Sequence, residues 1–276
     1  MMKIVNTTSV YMPGTDVFWV IDQLKEAGFQ YLDLALDYCF TPGNPFLSDY
    51  YMEWAKELKA YGDQKGISFY QCHGVGDPSV FYNQPDDIAY RSLEVAQALG
   101  IQWVAMHPKE IAGMTDEQHD DLFVSENVKW FTPFVKKAED LGVGVAIENL
   151  PWPNANRVKP LKEIVDGLNS SFAGVCWDTG HAHINGTKPD EIEILGDRLV
   201  TLHLHDNHGN GDEHLIPMDG TYDWKGLMRV LKKMNYKGEF VLEAHHQMLD
   251  AKDNPAMQQE LLARMIEVGN RLIALV

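Results

Sequence analysis

Acids and imidazoles recur along this chain in the order His73, His107, Glu148, Asp178, His203 and Glu243, each closing or directly following an apolar run. The runs ISFYQCH, IQWVAMH, GVAIEN, FAGVCWD, LVTLHLHD and EFVLEA have the composition of buried strands. Core packing alone gives no reason for such strands to end in polar residues. Glu148, Asp178, His203 and Glu243 close four successive runs and suit a divalent cation that takes oxygen and imidazole ligands while leaving positions open for substrate. This mixed donor set is compatible with Mn, Zn, Co or Mg. An Asp between a strand and a helix also reads as an N-cap, but capping does not call for this mixture of residues at four strand ends.

The elements that must position these groups alternate along the whole chain. Strand-like runs fall near residues 3–8, 30–36, 67–73, 101–107, 143–149, 172–178, 199–206 and 238–244. Apolar residues at three and four spacing predict helices over 16–28, 48–65, 85–99, 117–141, 159–169, 188–196, 223–235 and 255–274. Gly28, Gly66, Gly100, Gly142 and Gly238 stand just ahead of strands, as helix C-caps do. The loops that follow strands are longer and rich in Gly, Pro, His and aromatic residues, as in HGVGDPSVFYNQP and HDNHGNGDEHLIPMDGTYDW. This asymmetry predicts α/β architecture, a single (β/α)₈ TIM barrel formed as one domain over residues 1–276, with the strand ends converging at one mouth. A doubly wound sheet would need a GxGxxG or GxxxxGK[ST] loop, and the sequence has neither.

Charge narrows the partners. With 23 Lys and Arg against 40 Asp and Glu, the formal charge is −17, and there is no basic block with which to grip a polyanion, so nucleic acid is disfavoured. No apolar run approaches the roughly 20 residues of a membrane span, and the start, MMKIVNTTSVY, lacks the features of a secretory signal. Cys39, Cys72 and Cys176 have no CxxC spacing and read as reduced thiols of a cytoplasmic protein. Cys72 beside His73 is not a nucleophile and base pair, because neighbouring strand residues face opposite ways. Homo-oligomerisation is left open.

The motifs ENL at 148–150, WDTGHAH at 177–183, HLHDNHGNGDEH at 203–214 and LEAH at 242–245 resemble those of the xylose isomerase-like barrel superfamily. That superfamily includes sugar and sugar-phosphate isomerases, ketose 3-epimerases, inosose-processing enzymes and endonuclease IV. The resemblance spans essentially the whole chain and implies metal ligands at Glu148, Asp178, His203 and Glu243, with Glu148 and Glu243 also exchanging the substrate proton. Endonuclease IV holds further zinc ions, and its additional ligands are matched by His73, His107, His181, Asp212 and His214, which implies more than one ion. The chain departs from the nuclease in the loops after the first three strands: YMPGTD, CFTPGNPF and GVGDPSVFYNQP carry no Arg or Lys. They offer Tyr11, Phe40, Phe46, Phe81 and Tyr82, whose faces suit the CH face of a sugar ring or a hydrophobic seal over the barrel.

On the substrate side we place His181, Trp152, His205 and Arg157, with Lys109 and Lys159 as the other mouth-side cations. The expected function is a divalent-metal-dependent isomerase or epimerase of a carbohydrate or cyclitol, working by proton transfer through an enediolate. A multi-zinc phosphodiester hydrolase and a lyase or dehydratase on the same barrel are the alternatives.

Overall fold

Eight short β-branched and aromatic runs become parallel strands in a single sheet, ordered β7-β6-β5-β4-β3-β2-β1-β8. The structure, a computed structural model, describes residues 2–39, 41–75, 87–111 and 119–276. The strands are β1 (Ile4–Thr7), β2 (Tyr31–Ala35), β3 (Ser68–His73), β4 (Trp103–Met106), β5 (Gly144–Glu148), β6 (Ala173–Asp178), β7 (Leu199–His203) and β8 (Phe240–Leu242). Leu204 closes the ring just past β7: its N–H donates to Val241 O at 2.8 Å, and its carbonyl accepts from Glu243 N at 3.1 Å. The fold is a (β/α)₈ barrel, as the alternation predicts.

The helices that cover it are α1 (Val17–Ala27), α2 (Tyr51–Lys65), α3 (Asp87–Leu99), α4 (Asp120–Leu141), α5 (Val158–Leu168), α6 (Thr179–Ile184), α7 (Trp224–Met234), α8 (His246–Asp250) and α9 (Pro255–Ile273). Gly28, Gly66 and Gly142 end their helices in the left-handed conformation, as expected. Gly238 does not: Asn235, at φ 55°, caps α7 instead. The segment expected to be helical over 188–196 is a 3₁₀ stretch, Pro189–Arg198, broken at Gly196 by non-helical dihedrals. Among the described residues, no helix is long and apolar enough to cross a membrane.

Strand alternation explains how the site is built. Val104, Met106, Val145, Ile147, Val175 and Trp177 join the main apolar core. The residues between them, Ala105, Ala146 and Cys176, form a separate cluster with Trp103 and Val200. Period-two geometry puts this second set on the inner face of the barrel. Two residues further along the same strands, on that same face, come His107, Glu148 and Asp178. The inner floor is filled by large side chains standing over glycines. A β-bulge at Val175/Cys176 turns Val200 inward above Gly174, and the Trp103 ring covers Gly144.

A Cβ at Gly144 would lie 2.2 Å from the Trp103 ring. Gly144→Ala is therefore expected to cost about 1–3 kcal/mol through overpacking. Thermal denaturation should show a lowered Tm, while metal content per folded chain stays unchanged because the mouth lies at the other end of the strand.

Candidate metal centre at the barrel mouth

Glu148 is 1% exposed at the end of β5 and stands at the centre of the cluster. Its Oε1 lies 3.1 Å from His203 Nδ1 and 3.5 Å from His181 Nδ1; its Oε2 lies 3.4 Å from His73 Nε2 and 3.6 Å from His107 Nε2. Glu243 Oε2 approaches the same His203 Nδ1 at 3.3 Å. Asp178 Oδ1 is 3.0 Å from His205 Nε2 and also accepts the His181 N–H at 2.7 Å, so this carboxylate caps α6 while facing the imidazoles. The cap reading of this strand-end Asp holds, and the same carboxylate stands among the donor atoms.

Donor atoms of Glu148, Asp178, His203 and Glu243 lie within 4.8 Å of one another. So do those of His73, His107 and Glu148, and those of His181, His205, Asp212 and His214. Among the buried side-chain atoms without a hydrogen-bond partner are Glu148 Oε2, Asp178 Oδ2, His203 Nδ1 and both ring nitrogens of His205. Unpaired buried acceptors are costly, and their convergence is the pattern a cation would satisfy. The donor set therefore fits a divalent ion.

The ring orientations point the same way. His181 Nδ1 lies 2.8 Å from Asn149 O, and His214 Nδ1 lies 2.8 Å from Glu243 O, so each N–H is taken by a backbone carbonyl. Their Nε2 atoms then face Asp212 Oδ2 at 3.3 and 3.2 Å. His73 follows suit, with Nδ1 3.2 Å from Gly74 O and Nε2 toward Glu148. An imidazole whose far nitrogen is tied to a carbonyl presents its other lone pair in a fixed direction, as metal-binding histidines do.

His203 is held the other way round. Its Nε2 sits 2.7 Å from the Gln71 amide, which is gripped by Thr201 Oγ1 and Asp33 Oδ1. The Gln71 amide nitrogen faces both His203 Nε2 and Asp33 Oδ1 while its oxygen accepts from Thr201 Oγ1, so for His203 Nδ1 to ligate the amide must turn to accept the His203 Nε2–H through its oxygen. Gln71→Met leaves His203 Nε2 buried without a polar partner. We expect metal affinity, measured by chelator competition, to fall about 10–100-fold.

Electrostatics match this geometry. Burial disfavours ionised Glu148, yet the surrounding imidazoles, His203 foremost, hold its carboxyl well below the usual range. Burial likewise opposes protonation of His73, but Asp37 and Glu148 push it up to about 10. Against the same penalty, Asp178 and Asp212 lift His181 to about 10. Asp212 and Glu243 lift His214 to about 9. In the ion-free protein, protons on histidine thus balance the carboxylates.

The loop carrying Asp212 and His214 folds back over the mouth because Asp206 anchors its base. Asp206 accepts from Asn207 N, Met218 N, Tyr222 N and Trp224 Nε1 at 2.7–3.1 Å. Gly180 is needed beneath it, since a Cβ there would lie 1.9 Å from the His205 ring. His205, expected on the substrate side, is instead fully buried under Gly180 and stacked on His214 at 3.8 Å. It belongs to the donor cluster.

A cavity of about 190 Å³ opens on these groups, lined by His73, His107, Glu148, His181, Asp212, His214 and Glu243, with Trp152 on its wall. Arg157 lies outside this lining: it precedes α5 and pairs with Asp120. Tyr11 and Phe46, expected as sugar faces or seals, are buried in the core; Phe40, Phe81 and Tyr82 fall outside the described residues. Cys39, Cys72 and Cys176 are buried and unpaired. A larger cavity of about 240 Å³ lies at the opposite barrel end, near Tyr70, Trp103 and Tyr236, away from every donor cluster found among the described residues.

Several mouth residues escaped sequence reasoning. Asp37, Tyr38, Ser9 and His245 also line the cavity. Asp37 and His245 carried a signal, because each stands two places beyond an inward strand-end residue, Ala35 and Glu243. Burial and the neighbouring His214 lower His245 to about 4, so it is neutral at ordinary pH.

The family model described as xylose isomerase-like TIM barrel matches residues 21–267. The chain belongs to this family. An uncharacterized protein of Sinorhizobium fredii is 26% identical over 79% of this chain and 77% of its own length. The D-psicose 3-epimerase of Enterocloster bolteae is 24% identical over 81% of this chain and 75% of its own length. Among solved structures, IOLI protein with a bound zinc atom superposes with a TM-score of 0.74 at 16% identity, covering 99% of this chain and 96% of that one. At that identity the likeness to the family's solved structures concerns the fold.

Proposed function

We propose that this family member is a divalent-metal-dependent isomerase or epimerase of a carbohydrate or cyclitol. The observation that carries the reading is the meeting of donor atoms of Glu148, Asp178, His203 and Glu243 within 4.8 Å, with Glu148 and Glu243 lining a cavity of about 190 Å³. Kinship with a D-psicose 3-epimerase supports it.

When bound, a divalent cation polarises a carbonyl and its neighbouring hydroxyl, acidifying the C–H between them. The chain's own residues supply the rest. Glu148 and Glu243 flank His203 Nδ1, at 3.1 and 3.3 Å, so two carboxylates face the cavity from different strands. One takes the proton from one face of the substrate carbon, and the other returns a proton to the opposite face. Which acid acts first depends on the epimer bound. His181 and Trp152 bind and orient the hydroxyl-bearing ring. Asp212 and His214 cover the mouth and limit water at the reacting carbon.

The presence of adjoining, overlapping donor clusters among the described residues favours a second reading, a multi-zinc phosphodiester hydrolase. Metal analysis together with an abasic-DNA cleavage assay separates the two. The isomerase reading expects no cleavage at any metal loading, whereas three zinc ions per chain with robust cleavage would reverse the ranking.

A further inference from the structure

We infer that the mouth accepts an uncharged ketose or cyclitol and discriminates against its phosphate ester; this rests on the isomerase reading above. Beyond the clustered acids and imidazoles, the cavity is lined by Ser9, Asp37, Tyr38, Leu150, Trp152 and His245. These offer hydroxyls, an indole, an imidazole and a carboxylate, and no guanidinium or ammonium. Asp37 turns Oδ1 inward, buried 3.8 Å from His73 Nδ1, while the rest of its carboxylate, on a side chain 27% exposed, lines the cavity. A carboxylate oxygen open toward the cavity takes a hydrogen bond from a sugar hydroxyl and repels a phosphate dianion, which has three acceptor oxygens and no donor.

Arg157, Lys109 and Lys159 lie outside this lining. Arg157 pairs with Asp120, Lys109 lies over the Trp130 ring at 5.3 Å, and Lys159 sits 3.6 Å from Glu163. The segments after the sixth and eighth strands add Lys188 and Lys252, neither of which lines the cavity. Residues 76–86 (GDPSVFYNQPD) and 112–118 (AGMTDEQ) contain Asp77, Asp86, Asp116 and Glu117 and no Lys or Arg. The loop over 206–223 carries Asp206, Asp212, Glu213, Asp219 and Asp223, again without a cation.

Barrels that bind phosphate commonly do so after their seventh and eighth strands, at a helix N-terminus. Here that position holds the acidic loop and the five-residue helix α8. The reacting end of a substrate is held at the metal cluster, so a phosphate several carbons away would need donors of its own, and the lining supplies a carboxylate instead.

The test pairs each free ketose and inosose with its phosphate ester in D₂O, using wild-type protein loaded with Mn or Zn, and reads deuterium entry next to the carbonyl. We expect kcat/KM for at least one free sugar to exceed that of its ester by roughly 100-fold or more. In Asp37→Asn we expect KM for the free sugar to rise about tenfold with kcat held within a fewfold, and discrimination against the ester to narrow. Exchange with esters at equal or higher efficiency overturns the inference and leaves the isomerase reading standing. Absence of exchange with every pair overturns the isomerase reading, and this inference with it.

Discussion

Glu243→Gln is expected to abolish epimerisation yet leave a half-reaction intact: one epimer still exchanges its C–H with solvent, while the other neither exchanges nor forms. Glu148→Gln gives the complementary pattern if it retains metal. Loss of a positioned acid or base costs about 10²–10⁴ in rate. Glu148 should sit at the severe end, because it also stands 3.1–3.6 Å from four imidazoles and its neutralisation removes charge from the middle of the cluster. Exchange of both epimers by either variant would show that a single acid serves both faces. The variants are isosteric, so circular dichroism and metal content separate chemistry from misfolding.

The second large effect is expected on metal removal. Chelation should eliminate turnover and lower the Tm. An ion present at about 100 times its Kd stabilises the fold by about 2.7 kcal/mol, or roughly 5–10 °C for a chain of this size. The pH dependence follows from the histidines. In the ion-free protein His73 and His181 are raised to about 10 and His214 to about 9, so near neutrality they hold protons that an incoming ion must displace. Metal uptake should therefore release protons and tighten as pH rises; calorimetry in buffers of different ionisation enthalpy counts them.

The stability of the ion-free protein runs the opposite way. Because these folded-state values lie above the unfolded value near 6.5, their contribution is complete below about 6.5 and is lost as pH climbs through 9 and 10. The ion-free Tm should fall over that interval more steeply than the loaded one. A pH-independent affinity would mean that the histidines are neutral before metal arrives.

Much of this site is legible in the sequence, for a geometric reason. His107, Glu148, Asp178 and His203 each lie two residues beyond a small or polar residue, Ala105, Ala146, Cys176 and Thr201, and period two alone puts both on the inner face of the barrel. The order of strands in a barrel follows the order of the chain, so ends that are distant in sequence become neighbours without further information. Loop-borne features were less accessible. His205 follows the same alternation as His203, yet what buries it is the absence of a side chain at Gly180 and the stacking of His214, neither of which leaves a periodic trace. Arg157 stands close to Trp152 in sequence, but the loop turns it toward Asp120. Gln71 and Asp33 read as ordinary inward residues until their distances to His203 and to each other reveal the network.

Proton transfer at a carbon beside a carbonyl, carried by Glu148 and Glu243 with a divalent ion, is the proposed chemistry. The most direct measurement is proton NMR of metal-reconstituted protein incubated with free ketoses and inososes in D₂O. Deuterium is expected to enter that carbon as the epimer or isomer accumulates, and a chelator to stop both. Accumulation of an isomer without deuterium, as an intramolecular hydride shift would give, or no exchange with any ketose or inosose at full metal loading, would contradict that chemistry.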